Sequence, residues 1–387
     1  MNRRSYLETV GASAVALFAT GGAAAQTSAD GWDGPIAIAD GDDAQTVIES
    51  AGPNSWFVVE PGSTHDIAPP FDIPERTVID GGADARSGAG AAFVKAGDGP
   101  LATIGQQTTI HGIQFEGNGG QHSGPGLVDR EWNQPQIRLS GVTIRRMAGD
   151  GRVHNTPHRW LYQDVRLINN GGYGIRNIST DHDGPRRGRF VGGSISKNHR
   201  GGILSDGTHE RDNLYYTTFR SNGGPAYIHD SGGNPSRNVR IYGNMRYNAG
   251  PGIYIKSGSL EGWDLGALIG RNNRDLANAG VDNRQANPVG HVIHSNTTDG
   301  RSQVTASSGV WRTGRSGDCL VAARGSDASM LTLTASGADA RGGTIFGRVE
   351  ATIADARAFD VDWSQARASV ALDPYEGVVR GGRTRTN

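Results

Sequence analysis

The sequence predicts an all-β solenoid, a right-handed parallel β-helix opened by an N-terminal capping helix. Three observations predict it: an asparagine-centred motif recurs roughly every 25 residues, short strands of period-2 alternation flank each copy, and no copy leaves room for a helix. Asn170-Gly171-Gly172-Tyr173-Gly174-Ile175 returns as Asn198-His199-Arg200-Gly201-Gly202-Ile203, as Asn222-Gly223-Gly224-Pro225-Ala226-Tyr227 and as Asn248-Ala249-Gly250-Pro251-Gly252-Ile253, with asparagines 28, 24 and 26 residues apart. Weaker copies stand at Asn118-Gly119-Gly120 and at Met147-Ala148-Gly149-Asp150-Gly151.

Before each motif lies an alternating strand, such as Ile113-Gln114-Phe115, Val142-Thr143-Ile144, Ser194-Ile195-Ser196 or Thr218-Phe219-Arg220, that buries one face and wets the other. Each unit therefore reads as strand, tight turn, strand and variable loop. A propeller blade needs roughly 40 residues or more, so a β-helix coil fits where a blade does not. The asparagine is expected to take left-handed backbone geometry at the bend and to bond the same amide one rung away, at ~4.8 Å spacing. The glycines after it let the chain turn without a Cβ clash.

The ends are read separately. Asn2-Arg3-Arg4-Ser5-Tyr6-Leu7, the apolar run Val10–Ala19 and Ala23-Ala24-Ala25 resemble a twin-arginine (Tat) type signal peptide over residues 1–25, which implies export of a folded chain that is secreted or held at the cell surface. The run is too short to span a bilayer, so no membrane insertion is expected. Cys319 is the only cysteine, which excludes an internal disulfide. The net charge of −1 gives no broad field to attract nucleic acid, and none is expected as a partner. Asp43 to Gly52 has an acidic N-cap and helical periodicity, and Trp56-Phe57-Val58-Val59 follows as a strand; a cap is needed because a solenoid end exposes core and strand edges.

The helix, the first strand and the pattern apolar-x-Asn-x-x-Gly-Ile-x-apolar together resemble the opening and the repeat of the pectate-lyase-like superfamily of right-handed parallel β-helices, over residues 40–300. The resemblance implies the fold and leaves the activity open, because that superfamily holds lyases, hydrolases, epimerases, esterases, phage tailspikes and non-catalytic adhesins. The β-helix is assigned to residues 30–300. Residues 301–380, where the repeat fades, read as irregular final coils or a small C-terminal β-domain, and 381–387 as a disordered tail.

In a solenoid, loops leaving equivalent positions of successive coils emerge on one side. Five segments after the glycine-containing strands carry chemistry: His154 to Trp160, Asn177 to Asp183, Asp206 to Asp212, His229-Asp230-Ser231 and Lys256 to Asp264. A polymer along the axis would meet one group per rung, which suits a polysaccharide. Asp206, Asp230, Lys256, His209 and His182 are the candidate catalytic groups. His154, His158, Arg159, Trp160, Arg211, His229 and Trp263 are the candidate substrate-binding groups, the indoles to stack on sugar rings and the arginines to grip anionic groups.

Asp206 and Asp230, one coil apart, have the carboxyl spacing that glycoside hydrolysis uses. β-Elimination instead takes Lys256, or an arginine or histidine of the same patch, as base, with Asp181, Asp183 and Asp206 holding calcium; lysine shifts its pKa more readily than arginine, which favours Lys256. The expectation is a secreted polysaccharide lyase or glycoside hydrolase working in a groove along the solenoid, with no cofactor, or with calcium if it is a lyase. The alternative is a non-catalytic carbohydrate-binding or adhesive surface protein, or a virus-related receptor-binding spike. The sequence leaves the oligomeric state open.

Asp373-Pro374-Tyr375-Glu376 has a likeness to the Asp-Pro-His-Glu motif of alginate epimerases, but tyrosine stands in place of histidine and the segment reads as a turn. Asn177-Ile178-Ser179 and Asn296-Thr297-Thr298 match glycosylation sequons.

Overall fold

The computed structural model describes residues 33–82, 90–130, 136–155, 158–178, 183–207, 209–250 and 252–261, followed by strand segments at 263–265, 268–270, 293–295, 301–306, 309–312, 319–323, 330–336, 338–347, 349–354, 358–362 and 369–372. At 33, 34, 183, 184, 209, 231–235 and from 255 onward the backbone alone is described. The expected leader (1–25), the expected tail (381–387), Asp373–Glu376 and the sequon at Asn296 lie outside the described residues. The chain is an all-β parallel solenoid that divides into two compact units, residues up to Gly171 and residues from Gly172 on.

In the first unit a coil has three strands. The strands Ser55–Val59, Val78–Asp80, Thr109–His111, Arg138–Ser140 and Leu161–Gln163 stack in parallel, which puts Phe57, Ile79, Ile110, Leu139 and Tyr162 in one buried column. A second column is His65, Phe93, Phe115, Ile144 and Leu167, carried by Thr64–Ile67, Ala92–Lys95, Gln114–Glu116, Thr143–Arg145 and Arg166–Ile168. The third strands are Asp72–Ile73, Ala102–Ile104, Leu127–Asp129 and Arg152–Asn155. Alternation sends every second residue inward, and parallel register repeats that parity in each coil. Phe71, Phe93 and Phe115 meet edge to face along the interior, at centroid distances of 6.0 and 5.7 Å. Each fully buried side chain of this size stabilises the fold by about 1.5–3 kcal/mol.

The second unit adds a strip to each coil. Its post-asparagine strands Tyr173–Ile178, Gly201–Asp206, Tyr227–Arg237 and Ile253–Glu261 align Ile175, Ile203, Tyr227 and Ile253. Asp183–Arg186, His209–Arg211 and the far ends of Tyr227–Arg237 and Ile253–Glu261 form the added strip. Arg189–Ser196 and Leu214–Arg220 close the coil, aligning Phe190 with Tyr215 and Ile195 with Phe219. The segment that reads as a variable loop thus carries strands of its own. Parallel pairing continues through the described strands to Ser369–Leu372.

The asparagine ladder forms, with one change from expectation. The left-handed residue at the bend is the one before the ladder position: Arg146, Asn169, Lys197, Ser221 and Tyr247 have φ between 54° and 59°. The asparagine itself turns inward. Asn222 Oδ1 accepts from the backbone N–H and the Nδ2 of Asn198, both at 3.1 Å, and Asn248 Oδ1 accepts from the N–H of Asn222 at 3.1 Å and its Nδ2 at 2.8 Å. The remaining Nδ2 proton of Asn222 goes to Ile195 O at 3.1 Å. In the first unit Asn170 Oδ1 accepts from Met147 N at 3.1 Å. The following glycines answer to stacking as well as turning: a Cβ on Gly223 would lie 2.0 Å from His199 O of the neighbouring rung.

The helix Ala44–Ala51 forms as predicted, with Asp43 accepting from Thr46 N at 3.0 Å, and it follows a first strand, Asp33–Ile38, that the sequence reading lacked. Helix side chains take up backbone groups beside Thr64–Ile67 and Asp72–Ile73. Gln45 Oε1 accepts from Ala68 N and Glu49 Oε1 from Asp72 N, both at 3.0 Å.

Asn222→Ala is expected to cost about 1–3 kcal/mol in chemical denaturation, because it removes bonds from Asn198 and Asn248 together without opening the site to water. An unchanged midpoint would show that the ladder contributes nothing.

Candidate functional site

The register of the post-asparagine strands fixes which candidates meet. In the second unit Asp206 pairs with Asp230, and Asp230 with Ser257 of the next coil. Their inward neighbours Ser205 and His229 are fully buried, so Asp206 and Asp230 point outward from adjacent rungs, ~4.8 Å apart along the stack. Arg176 reaches Asp206 from the preceding coil, where it is paired with Leu204: its Nε donates to Oδ2 at 2.8 Å and its Nη2 donates to the same oxygen. Both side chains are part-exposed. The outward face of three rungs thus carries a guanidinium and two carboxylates.

Behind that face lies a polar interior. Glu210 is fully buried and its carboxylate collects five donors: Asn177 Nδ2 at 2.6 Å, Ser205 Oγ at 2.9 Å and Tyr227 OH at 2.8 Å on Oε1, Asn213 Nδ2 at 2.8 Å and Tyr215 OH at 2.6 Å on Oε2. Its backbone N–H donates to Ser236 Oγ, which also meets His229 Nδ1 at 3.3 Å. Asn177, Ser205 and His229 are the residues beside Arg176, Asp206 and Asp230, so this network holds the backbone that carries the outward groups. Burial pushes the Tyr215 and Tyr227 hydroxyls well above the usual tyrosine range, and the neighbouring Glu210 adds to it.

The first unit has its own buried network. Arg152 pairs with Asp129 out of water, donates from Nε to Tyr162 OH at 3.0 Å and from Nη1 to Val153 O at 3.1 Å. Asp129 Oδ2 accepts from Asn155 N at 2.9 Å, and His154 Nε2 lies 2.6 Å from Tyr162 OH. Burial raises the Asp129 carboxyl against the pull of Arg152, and burial pushes Tyr162 up to about 12. Trp160 packs with its ring tilted against Tyr162 and His154, at centroid distances of 4.8 and 5.3 Å.

These placements correct part of the expected site. His154, Trp160 and His229 are expected to touch substrate, but each side chain is inside the solenoid, at 0–1% exposure. Strand parity turns His229 inward beside the part-exposed Asp230, and Trp160 follows an exposed left-handed Arg159, φ 55°, into the core. Asn177, likewise buried on Glu210, cannot serve as a glycan acceptor in the folded chain. Arg159 is exposed and His158 part-buried, both in the first unit; Asp206 belongs to the second. Arg211 is part-buried in the added strip, in register with Arg186 and Arg237.

His209, Lys256, Trp263 and Asp183 lie on described strands whose side chains at these positions are not described, and His182 and Asp181 lie outside the described residues. For calcium, Asp206 faces the Arg176 guanidinium, and among the described residues no three His, Cys, Asp or Glu side chains gather as ligands.

Arg176, Glu210 and the Asp129–Arg152 pair lie outside the set that residue type alone points to. The signal was in the alternation itself: Ile175-x-Asn177, Ile203-x-Ser205 and Tyr227-x-His229 place a polar residue at each inward position, and such residues need a buried partner.

No protein-family model and no curated protein matches the chain. Among solved structures it is similar to the A-module of the mannuronan C-5 epimerase AlgE6 of Azotobacter vinelandii, with a TM-score of 0.57 and 12% identity over 89% of this chain and 92% of that one. An alginate lyase from Paenibacillus sp. str. FPU-7 aligns with a TM-score of 0.48, 13% identity, 81% of this chain and 98% of that one. An endo-xylogalacturonan hydrolase from Aspergillus tubingensis gives 0.35, 10%, 91% and 95%. Among the described residues no helix is long and apolar enough to cross a membrane.

Two expectations follow from the buried networks. Arg152→Met leaves Asp129 buried without its cation and is expected to cost about 3–5 kcal/mol, while adding Asp129→Leu recovers part of the loss; purely additive effects in denaturant titrations would mean that the two groups are not coupled. The folded pKa values of Tyr162, Tyr215 and Tyr227 lie above the unfolded value near ~10, so their contribution is complete below about pH 10 and is lost as pH rises through the folded values, about 12 for Tyr162. Melting temperature should therefore fall above about pH 10, and tyrosinate absorbance from these three residues should appear at higher pH in the folded chain than in the unfolded one.

Proposed function

We propose that the protein acts on a polysaccharide laid along the rungs of the second unit, with Asp206 and Asp230 as the reacting carboxyl pair and Arg176 orienting Asp206. The observation that carries this reading is the register Asp206–Asp230, which sets two outward carboxylates one rung apart beside a guanidinium and braces them from behind through Ser205 and His229. Adjacent rungs allow a separation of ~5–5.5 Å, or above ~6.5 Å with the side chains splayed, and these distances serve the two stereochemical courses of glycoside hydrolysis. In a β-elimination Asp181, Asp183 and Asp206 would hold calcium against a uronate, with Lys256 as base. The AlgE6 module, by its name an epimerase of mannuronan, supports a saccharide polymer as the substrate class for this fold and does not bear on the reaction. The reading includes export to the outside of the cell by the twin-arginine type leader.

Incubating the mature chain with neutral and acidic polysaccharides, with and without calcium, and following reducing ends and ultraviolet absorbance of unsaturated products separates hydrolysis from elimination. Asp206→Asn and Asp230→Asn are each expected to lower turnover by about 100-fold or more while leaving the melting temperature unchanged. Full activity in both variants would remove the carboxyl pair from the mechanism.

A further inference from the structure

In the first unit Ile79, Ile110, Leu139 and Tyr162 fill one buried column, so the residues that follow them face outward from four consecutive rungs. Those residues are Asp80, His111, Ser140 and Gln163, each in register with the next. Exposure rises along the row: Asp80 is 9% exposed, His111 and Ser140 are part-buried, and Gln163 is exposed. A carboxylate, an imidazole, a hydroxyl and a carboxamide thus stand in that order on one face, and the row shares no strand with Asp206 and Asp230.

The spacing suits proton transfer along the row. Asp80 and Ser140 stand two rungs apart, ~9.6 Å between backbones. An imidazole that bonds both neighbours needs two hydrogen bonds of about 2.8 Å plus the width of its ring, a span that side-chain rotation of His111 covers. The Asp80 carboxylate is anchored already, with Oδ1 accepting from Gly82 N at 2.8 Å, which leaves Oδ2 to accept from the ring. Among the described residues His111 does not bond either neighbour, and catalytic hydrogen bonds commonly close only around bound substrate.

Backbone donors at this corner are in use. Gly81 N donates to His111 O at 2.8 Å, Gly112 N to Ser140 O at 3.0 Å and Gly141 N to Gln163 O at 2.9 Å. An oxyanion formed at Ser140 is therefore met by a side chain, and the Gln163 amide stands one rung on. The three glycines place no side chain at the corner, which leaves room for a small acyl group.

We propose that this row is a second catalytic site, a serine–histidine–aspartate hydrolase of small acyl esters. Ser140 Oγ attacks the ester carbonyl while His111 takes the hydroxyl proton and passes it to the departing alkoxide. Water then attacks acyl-Ser140; His111 takes the water proton and returns it to Ser140 Oγ as the carboxylic acid leaves. One ester and one water give one alcohol and one acid. Asp80 is a positioning residue that keeps His111 in the tautomer accepting at Nε2.

The full chain is incubated with p-nitrophenyl acetate and, separately, with a fluorophosphonate, which phosphonylates an activated serine with loss of fluoride. Saturable release of p-nitrophenol is expected, together with a single adduct that peptide mass spectrometry places on Ser140. Ser140→Ala and His111→Gln should each lower kcat/KM by about 100-fold or more and suppress the adduct. Asp80→Asn should lower kcat while leaving KM within about twofold, and Asp80→Glu should restore part of kcat. Gln163→Ala should lower kcat by about tenfold or more. Should a variant melt early, labelling of the wild-type chain carries the comparison, because it needs no substitution. No adduct on Ser140 in the wild-type chain, or acetate ester turnover unchanged in Ser140→Ala, overturns the proposal.

Discussion

Because each strand pairs in parallel with the strand one coil away, a residue's side of the wall is fixed by its parity, and neighbouring coils inherit the same assignment. The aromatic column through Phe93 and Phe115, the asparagine ladder and the outward Asp206–Asp230 pair are all products of this one rule. Register therefore does two tasks at once. It builds a continuous core from strands as short as two or three residues, and it lines up groups distant in sequence on the outer face.

The interior is less apolar than a solenoid core needs to be. Glu210 with its five donors, and Arg152 with Asp129 and Tyr162, are fully enclosed. Burying such groups costs free energy that good hydrogen bonding returns only in part, so they contribute more to the uniqueness of the packing than to its depth. In the second unit this placement has a local meaning. Ser205, His229 and Asn177 belong to the strands that present Asp206, Asp230 and Arg176, so rigidity inside is transmitted over a single residue to the outer face. Sites on strands are held more closely than sites on loops, and here the strand is clamped from within.

The fold was legible because the Asn-Gly recurrence and the alternating strands report directly on coil geometry, and the helix at Ala44–Ala51 was legible from Asp43 and its periodicity. The site was legible only in part. Asp206 and Asp230 stand at equivalent places in successive repeats, and that equivalence is what register preserves. His229, His154 and Trp160 are not legible as interior groups from residue type, because only strand parity turns them into the core. The bends show a different limit. Arg146, Lys197 and Tyr247 occupy left-handed positions where sequence rules look for glycine or asparagine, because the tertiary wrap imposes the conformation on whatever residue falls there. Arg176 is not legible as a site residue because its partner Asp206 is 30 residues away, a pairing set by the coil length.

The side chains of Gln45 and Glu49 cover backbone N–H groups beside Thr64–Ile67 and Asp72–Ile73. Naked strand edges at the end of a solenoid are templates on which a further copy can grow, and head-to-tail growth of that kind leads to fibres. By satisfying part of this edge with two helix residues, the chain makes the start of its own ribbon a poor seed for polymerisation.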